Sequence, residues 1–445
     1  MLWPHFYDIS TMYSSENSNK KLGVWTTTAL VVGGMIGSGI FSLPSSLAQY
    51  GGISLFGWVF AAIGAFILAK IFGYLSKVIP ATGGPYAYSR KGFGDFVAFF
   101  VAWGYWLSIW ATNAAITITF VSYLGVFIPA LKESTSLSLI TGLITIWSLT
   151  ALNSYSVKAG GKTQLITTIL KIVPLVVVTI GGLFFIQFAH FKPLNISEVS
   201  SFKAITICTA LCLFAFMGLE AATIPAGNIK NPGKTIPKAT MMGTVLVTII
   251  YIISSFALFG VLPPAEIANT ASPFAAAASK MWGPNAEYLV AAGACISTLG
   301  ALNGWILIQG QVPMAMAQDG LFPEQFARTN KNEAPYFSII ASSIVITVLL
   351  LLNQSRGLAD IYTYMVLLTT VTVLVAYIFS IAAYGLFAAE HKYGLSASIS
   401  NILLVSFGFG FSIWMMIGSG HEAVFLGFIG LLLGIPIYIW NKRKA

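Results

Sequence analysis

Twelve stretches of the chain are each long and apolar enough to cross a bilayer, at about 24–48, 53–76, 96–124, 137–155, 163–187, 203–227, 240–262, 286–312, 336–354, 361–386, 396–418 and 422–440. A helix needs ~20 mostly apolar residues to span a ~30 Å hydrocarbon core. In lipid every backbone N–H and C=O must be satisfied within the protein, so only helices and closed barrels span membranes. Barrel strands read as short alternating segments, and the sequence does not have that pattern. The expected fold class is all-α: a polytopic membrane protein of twelve transmembrane helices. Composition agrees, with 57% hydrophobic and 8% charged residues among 445, against ~25% charged in soluble domains. A soluble fold would expose apolar patches that associate. A cytosolic enzyme is excluded.

The net charge of +9 would suggest nucleic acid in a soluble protein; here its placement matters more. Loops on the side of the N-terminus hold sixteen Lys and Arg, from Lys20 and Lys21 to Lys442, Arg443 and Lys444. The other side holds five: Lys132, Lys192, Lys203, Lys280 and Arg356. The basic side is the cytoplasmic one, so both termini are expected in the cytoplasm, with the chain multi-pass in a plasma (inner) membrane. Residues 1–20 are polar and mixed, unlike a cleavable signal peptide. The expected organisation is a cytoplasmic tail over 1–22, one membrane domain over 23–440 and a short tail over 441–445. Membrane lipid is the expected surrounding and nucleic acid is not an expected partner.

Two spans contain breaks. Span 1 has Gly33-Gly34-Met35-Ile36-Gly37-Ser38-Gly39-Ile40-Phe41, and each interior glycine costs a helix about 1 kcal/mol relative to Ala. Glycines spaced for close helix packing are the plainer alternative. Gly-Ser-Gly at mid-span favours unwinding, and unwound backbone at membrane depth must line a cavity or bind something. Span 6 has Phe214-Ala215-Phe216-Met217-Gly218-Leu219-Glu220. Interrupted helices at corresponding positions of two halves point to a transporter binding site. The halves would be about 24–187 and 203–386, with two extra helices at 396–440. Because each five-helix unit is odd, the second is inverted. N–H groups freed near Ser38 suit a carboxylate, and freed carbonyls suit an ammonium. One site offering both suits an amino acid.

Several motifs then agree. Gly37-Ser38-Gly39-Ile40-Phe41, Gly83-Gly84-Pro85-Tyr86-Ala87-Tyr88 after span 2 and Gly218-Leu219-Glu220 resemble the amino acid–polyamine–organocation (APC) superfamily. Asn231-Pro232 through Ile236-Pro237, Asn303-Gly304-Trp305 and Asp319-Gly320-Leu321-Phe322-Pro323 extend the likeness over residues 22–440. The chain looks most similar to the basic amino acid/polyamine antiporter branch, of arginine/agmatine-exchanger type. The resemblance implies a leucine-transporter-type 5+5 inverted repeat and alternating access. It implies that Ser38 and Gly39 hold the substrate carboxylate, with Ile36 at the same break. Carbonyls of Met35, Phe214 and Met217 would receive the α-ammonium. The side-chain end would lie near Ser108, Ile109, Asn113 and Thr369, between the rings of Phe214 and Trp305. Tyr105, Glu220 and Tyr377 match positions linked to gating. Some relatives are dimers, which leaves a homodimer open, although no interface is legible.

Independently, Tyr105, Ser108, Ile109, Thr112, Asn113 and Ile116 fall on one stripe of span 3, and a polar stripe inside a span faces the protein interior. Glu220 is the one acidic residue well inside a span. It is expected either to take and release a proton, engaging Tyr105 or Tyr377, or to pin span 6 permanently. Lys171 in span 5 is expected to carry a proton, with snorkelling to the headgroups as the alternative. Where this chain has Phe214 the exchanger branch has tryptophan, a better cation–π partner. The expected function is secondary active amino acid transport, by exchange of cationic amino acids or polyamines, with proton-coupled symport of neutral amino acids as the alternative. Cys208 and Cys212 share a helix face, but no His or acidic partner completes a metal set. No cofactor, metal or enzymatic activity is expected.

Overall fold

The computed structural model describes residues 21–81, 83–155, 173–224, 226–390 and 395–443. Among these residues helices carry the fold and no strand forms, apart from an isolated parallel bridge between Leu22 and Ile229. Among the described residues nine helices are long and apolar enough to cross a membrane. Three shorter apolar helices accompany them: Val173–Phe185, Ser201–Ala215 and Tyr336–Leu352. The chain is an all-α polytopic membrane protein.

The first span is two helices, α1 (Val24–Met35) and α2 (Ser38–Ala48), followed by α3 (Ser54–Val78). A short helix, α4 (Pro85–Phe93), leads into α5 (Asp95–Leu124) and α6 (Thr135–Tyr155). Then come α7 (Ser201–Ala215), α8 (Pro232–Val261), α9 (Pro273–Trp282) and α10 (Asn285–Gln318). The chain continues through α11 (Tyr336–Leu352), α12 (Leu358–Glu390), α13 (Leu395–Gly418) and α14 (Gly420–Leu432).

Burial orders these helices from centre to rim. In the most apolar part of α5, 83% of residues are buried, against 22% in each of Ile399–Gly418 and Gly420–Lys442. Helix α5 packs against α10 and α12, while α3 packs against α7 and α8. The C-terminal helices instead turn large side chains such as Phe407, Ile417 and Leu433 outward, as lipid-facing helices do. Cys208 packs against Gly57, where an added Cβ would come within 2.7 Å of the Cys208 Cβ.

Two of the sequence motifs meet on the N-terminal side. Gly84 starts α4 at φ 53°, with Thr223 so close that a Cβ would lie 2.5 Å from its Oγ1. Arg90 of α4 reaches Asp319 (Nη1–Oδ2 2.7 Å) and Asp95 (Nε–Oδ1 3.0 Å), and Tyr86 donates to Asp319 Oδ2 at 2.5 Å. Burial, helped by the Asp319 carboxylate, pushes the Tyr86 pKa up, so the phenol stays a donor.

Span 6 is broken, as its Gly218 suggested: α7 stops at Ala215, and among the described residues short 3-10 turns at Ala221–Thr223 and Ala226–Asn228 follow. Gly218, at φ 96°, turns the chain out of helical geometry. Span 7 begins at Pro232 rather than 240, because Pro at the first helical position suits a start there. Lys171 lies outside the described residues.

Candidate functional site

The two breaks cross. Helix α1 ends at Met35; Ile36 and Gly37 are non-helical, with ψ 101° and φ −141°, and α2 starts at Ser38. Small residues permit the approach. A Cβ on Gly218 would lie 2.7 Å from the Gly34 carbonyl, and one on Gly39 would lie 2.8 Å from the Ala215 Cβ. Any larger side chain at either point would drive the two breaks apart.

Between them lies a cavity of about 20 Å³, lined by Gly34, Met35, Gly37, Ser38, Gly39, Thr112, Ile116, Phe214, Ala215, Met217 and Trp305. That is room for little more than one water-sized sphere, so the site is contracted and an amino acid would have to widen it. Of the residues expected at the site, Met35, Ser38, Gly39, Phe214, Met217 and Trp305 line it. Ser38 Oγ is buried with no partner among the described residues. No side chain caps α2, and the first-turn N–H groups of a helix have no intrahelical acceptor. The arrangement can hold an anion. Phe214 meets Tyr362 edge-on, with ring centroids 6.4 Å apart.

The other expected residues stand behind this lining. Ile36 and Ile109 are buried. Ser108 Oγ donates to the Tyr105 carbonyl at 2.6 Å, and Thr369 Oγ1 donates to the Ser108 carbonyl at 3.4 Å. Asn113 does not line the cavity; its Nδ2 donates to Gln309 Oε1 of α10 at 2.6 Å.

Below the cavity, toward the N-terminal side, Glu220 is fully buried. Its Oε1 accepts from Tyr105 at 3.0 Å, and its Oε2 accepts from Tyr377 at 3.1 Å and from the Gly218 N–H at 3.2 Å. The sequence suggested one tyrosine or the other; the structure brings both together. An ionised carboxylate is acceptor-only, whereas a protonated one must donate. Adding a proton removes the charge that strengthens these bonds and adds a donor that needs an acceptor of its own, so it weakens the cluster.

On the opposite side, farther along α2, the contacts join neutral groups. Phe41 of α2 meets Tyr123 (5.7 Å) and Phe274 (6.1 Å) edge-on. Tyr123 donates its hydroxyl to the Phe41 carbonyl at 3.0 Å and accepts from the Phe274 N–H at 3.3 Å. Ser45 Oγ donates to the Thr270 carbonyl at 2.6 Å.

Sequence reasoning missed Tyr251. Its hydroxyl lies 2.8 Å from the Met35 carbonyl and 3.1 Å from that of Ala215, bridging the two breaks from α8. A polar group inside a span was the signal available.

The amino acid permease family model matches residues 22–435. The chain belongs to the amino acid permease family. It is 34% identical to a cadaverine/lysine antiporter of Escherichia coli (strain K12) over 349 residues, 77% of this chain and 78% of the relative. It is 31% identical to an arginine/agmatine antiporter of Chlamydia abortus over 460 residues, 97% of this chain and 92% of the relative. The arginine/agmatine antiporter of Chlamydia pneumoniae is also 31% identical, again over 97% of this chain.

Proposed function

We propose that this protein is a secondary active antiporter exchanging cationic amino acids or polyamines by alternating access. The observation that carries the reading is the crossing of two helix breaks around a contracted cavity that combines free helix N–H groups, carbonyls and aromatic rings. Relatives named for cadaverine/lysine and arginine/agmatine exchange support the substrate class.

In this reading Ser38 and Gly39 at the start of α2 hold the carboxylate. The carbonyls of Met35, Phe214 and Met217 receive the α-ammonium. Tyr251 occupies Met35 O in part, and a carbonyl keeps a second lone pair for a ligand. Phe214 and Trp305 flank the substrate's cationic end, each face worth ~0.5–2 kcal/mol to a desolvated cation, with Ser108, Ile109, Asn113 and Thr369 around it. A polyamine, which has no carboxylate, would use the carbonyls and rings alone. Glu220 with Tyr105 and Tyr377 forms the gate on the N-terminal side, and Glu220 carries a proton during the cycle. Lys171 in span 5 is proposed as a second proton carrier; intact, pH-insensitive transport by Lys171→Ala would remove it from the reading.

The architecture we infer is twelve spans in one membrane domain, built as a 5+5 inverted repeat with two added helices. The three shorter apolar helices support it, because each falls in one of the remaining apolar stretches. The proposed location is the inner membrane, both termini cytoplasmic, from the distribution of basic residues.

The test is sodium-free uptake of radiolabelled arginine and lysine into proteoliposomes that are either loaded with the same amino acid or empty. Uptake in loaded vesicles only is expected. Equal uptake in both would overturn exchange, and uptake of neutral amino acids alone, driven by a proton gradient, would overturn the cationic substrate.

A further inference from the structure

Trp305, which lines the cavity, and Gln309 lie one turn apart on the same face of α10. Gln309 is completely buried, and its side-chain amide has one permissible orientation. Its nitrogen lies 3.2 Å from the Ile339 carbonyl of α11, a group that can only accept. The same nitrogen lies 2.9 Å from Ser343 Oγ, whose own proton has acceptors at Ile339 O (3.0 Å) and Thr150 Oγ1 (2.6 Å). With its proton used on either, Ser343 accepts from Gln309, and the Ile339 carbonyl can only accept. The nitrogen is thereby committed to α11, and the oxygen is left to face α5.

There it meets Asn113, 2.6 Å away. Against an acceptor Asn113 can present only its nitrogen, so its oxygen is the free end of the amide. Asn113 Oδ1 is buried and has no partner among the described residues. Asn113 stands on α5 between Thr112 and Ile116, both of which line the cavity. Hydrogen-bond chemistry thus runs from a backbone carbonyl of α11, through Gln309, to a bare acceptor beside the cavity. Leaving such an atom unmade is costly, and a donor on the ligand relieves that cost.

We propose that Gln309 is a positioning residue that fixes the polarity of Asn113, so that the side-chain end of the site favours a ligand ending in an ammonium or guanidinium over one that is neutral there. This rests on the proposed exchange function and adds what sets its substrate class. Without Gln309 the Asn113 amide is free to turn, and the selectivity it gives falls.

The experiment uses the full-length protein in proteoliposomes and compares lysine with norleucine, which lacks only the terminal amine, as competitors of labelled lysine exchange. The unsubstituted protein is expected to prefer lysine. Gln309→Met, similar in length but unable to accept strongly, should reduce that preference about tenfold by weakening lysine while leaving norleucine unchanged. Gln309→Glu keeps an oxygen facing Asn113 and, when protonated, a donor for Ile339 O; it should restore the preference. Gln309→Ala removes the same acceptor with less bulk and serves where the methionine variant does not purify. If removal of the acceptor leaves the lysine-to-norleucine ratio intact, or weakens both ligands together, Gln309 is a packing residue and the inference falls alone. If the unsubstituted protein exchanges neutral amino acids but not lysine, the cationic reading falls and takes the inference with it.

Discussion

The crossing of the two breaks is flanked on its two sides by unlike chemistry. Toward the N-terminal side a single carboxylate, Glu220, gathers Tyr105, Tyr377 and the Gly218 N–H. On the far side Phe41, Tyr123 and Phe274 meet ring to ring, and the hydrogen bonds there join neutral groups. In the proposed cycle, a closure built on one ionisable group can be loosened by a proton. A closure built on aromatic contact and backbone carbonyls cannot, and opens only when the helices move apart. That reading would put pH sensitivity on one side of the molecule.

The largest effect is expected at Gly218→Ala, where the near closure and the crossing of the breaks share a residue. The new Cβ would sit 2.7 Å from the Gly34 carbonyl at a backbone φ of 96°. Overpacking of this kind costs about 1–3 kcal/mol, with strain in addition, so exchange should be abolished and the melting temperature of purified protein should drop. Normal exchange by this variant would mean that the breaks do not touch. Next is Glu220→Gln, which fills the same space without titrating. The unsubstituted protein should change its exchange rate between about pH 5 and 8, and the variant should not. A profile of unchanged shape would reduce Glu220 to a structural pin and erase the contrast between the two closures.

Much of this site could be read from the sequence because its chemistry is local. Four glycines around Ser38, and Gly218 two residues before Glu220, mark unwinding without reference to any other span. The stripe from Tyr105 to Ile116 places one face of α5 inward by helical spacing alone. What stayed hidden depends on which spans face each other. Gln309 is 196 residues from Asn113, and Tyr251 is 216 from Met35; periodicity within one span carries no information about such partners. Both are polar groups in apolar helices, so the argument that turned the α5 stripe inward could have flagged them, though not paired them. The break in span 6 was legible at Gly218, but the residue at which α7 stops was not, because hydropathy continues past Ala215 whether or not the backbone stays helical.

Tyr251→Phe comes next in size, because it tests a link that neither closure contains. Losing one hydroxyl shared by the Met35 and Ala215 carbonyls should cost about 1 kcal/mol. The two breaks would then be less firmly joined, lowering the melting temperature and slowing exchange at all pH values alike. A change confined to low pH would tie Tyr251 to the proposed Glu220 gate instead.

The smallest effect is expected from Tyr123→Phe on the far side. The ring survives, so its edge-on contact with Phe41 survives with it. Only the hydroxyl is lost, leaving the Phe41 carbonyl and the Phe274 N–H without that partner. That loss is worth about 1 kcal/mol, short of the ~1.4 kcal/mol that makes a tenfold change. Exchange should therefore shift only a few-fold, with a pH profile parallel to that of the unsubstituted protein. A parallel profile here beside a flat one in Glu220→Gln is the pattern that separates the two closures. If Tyr123→Phe bent the profile, the far side would have to sense the proton as well, through the movement of α2 against α7 at Gly39 and Ala215.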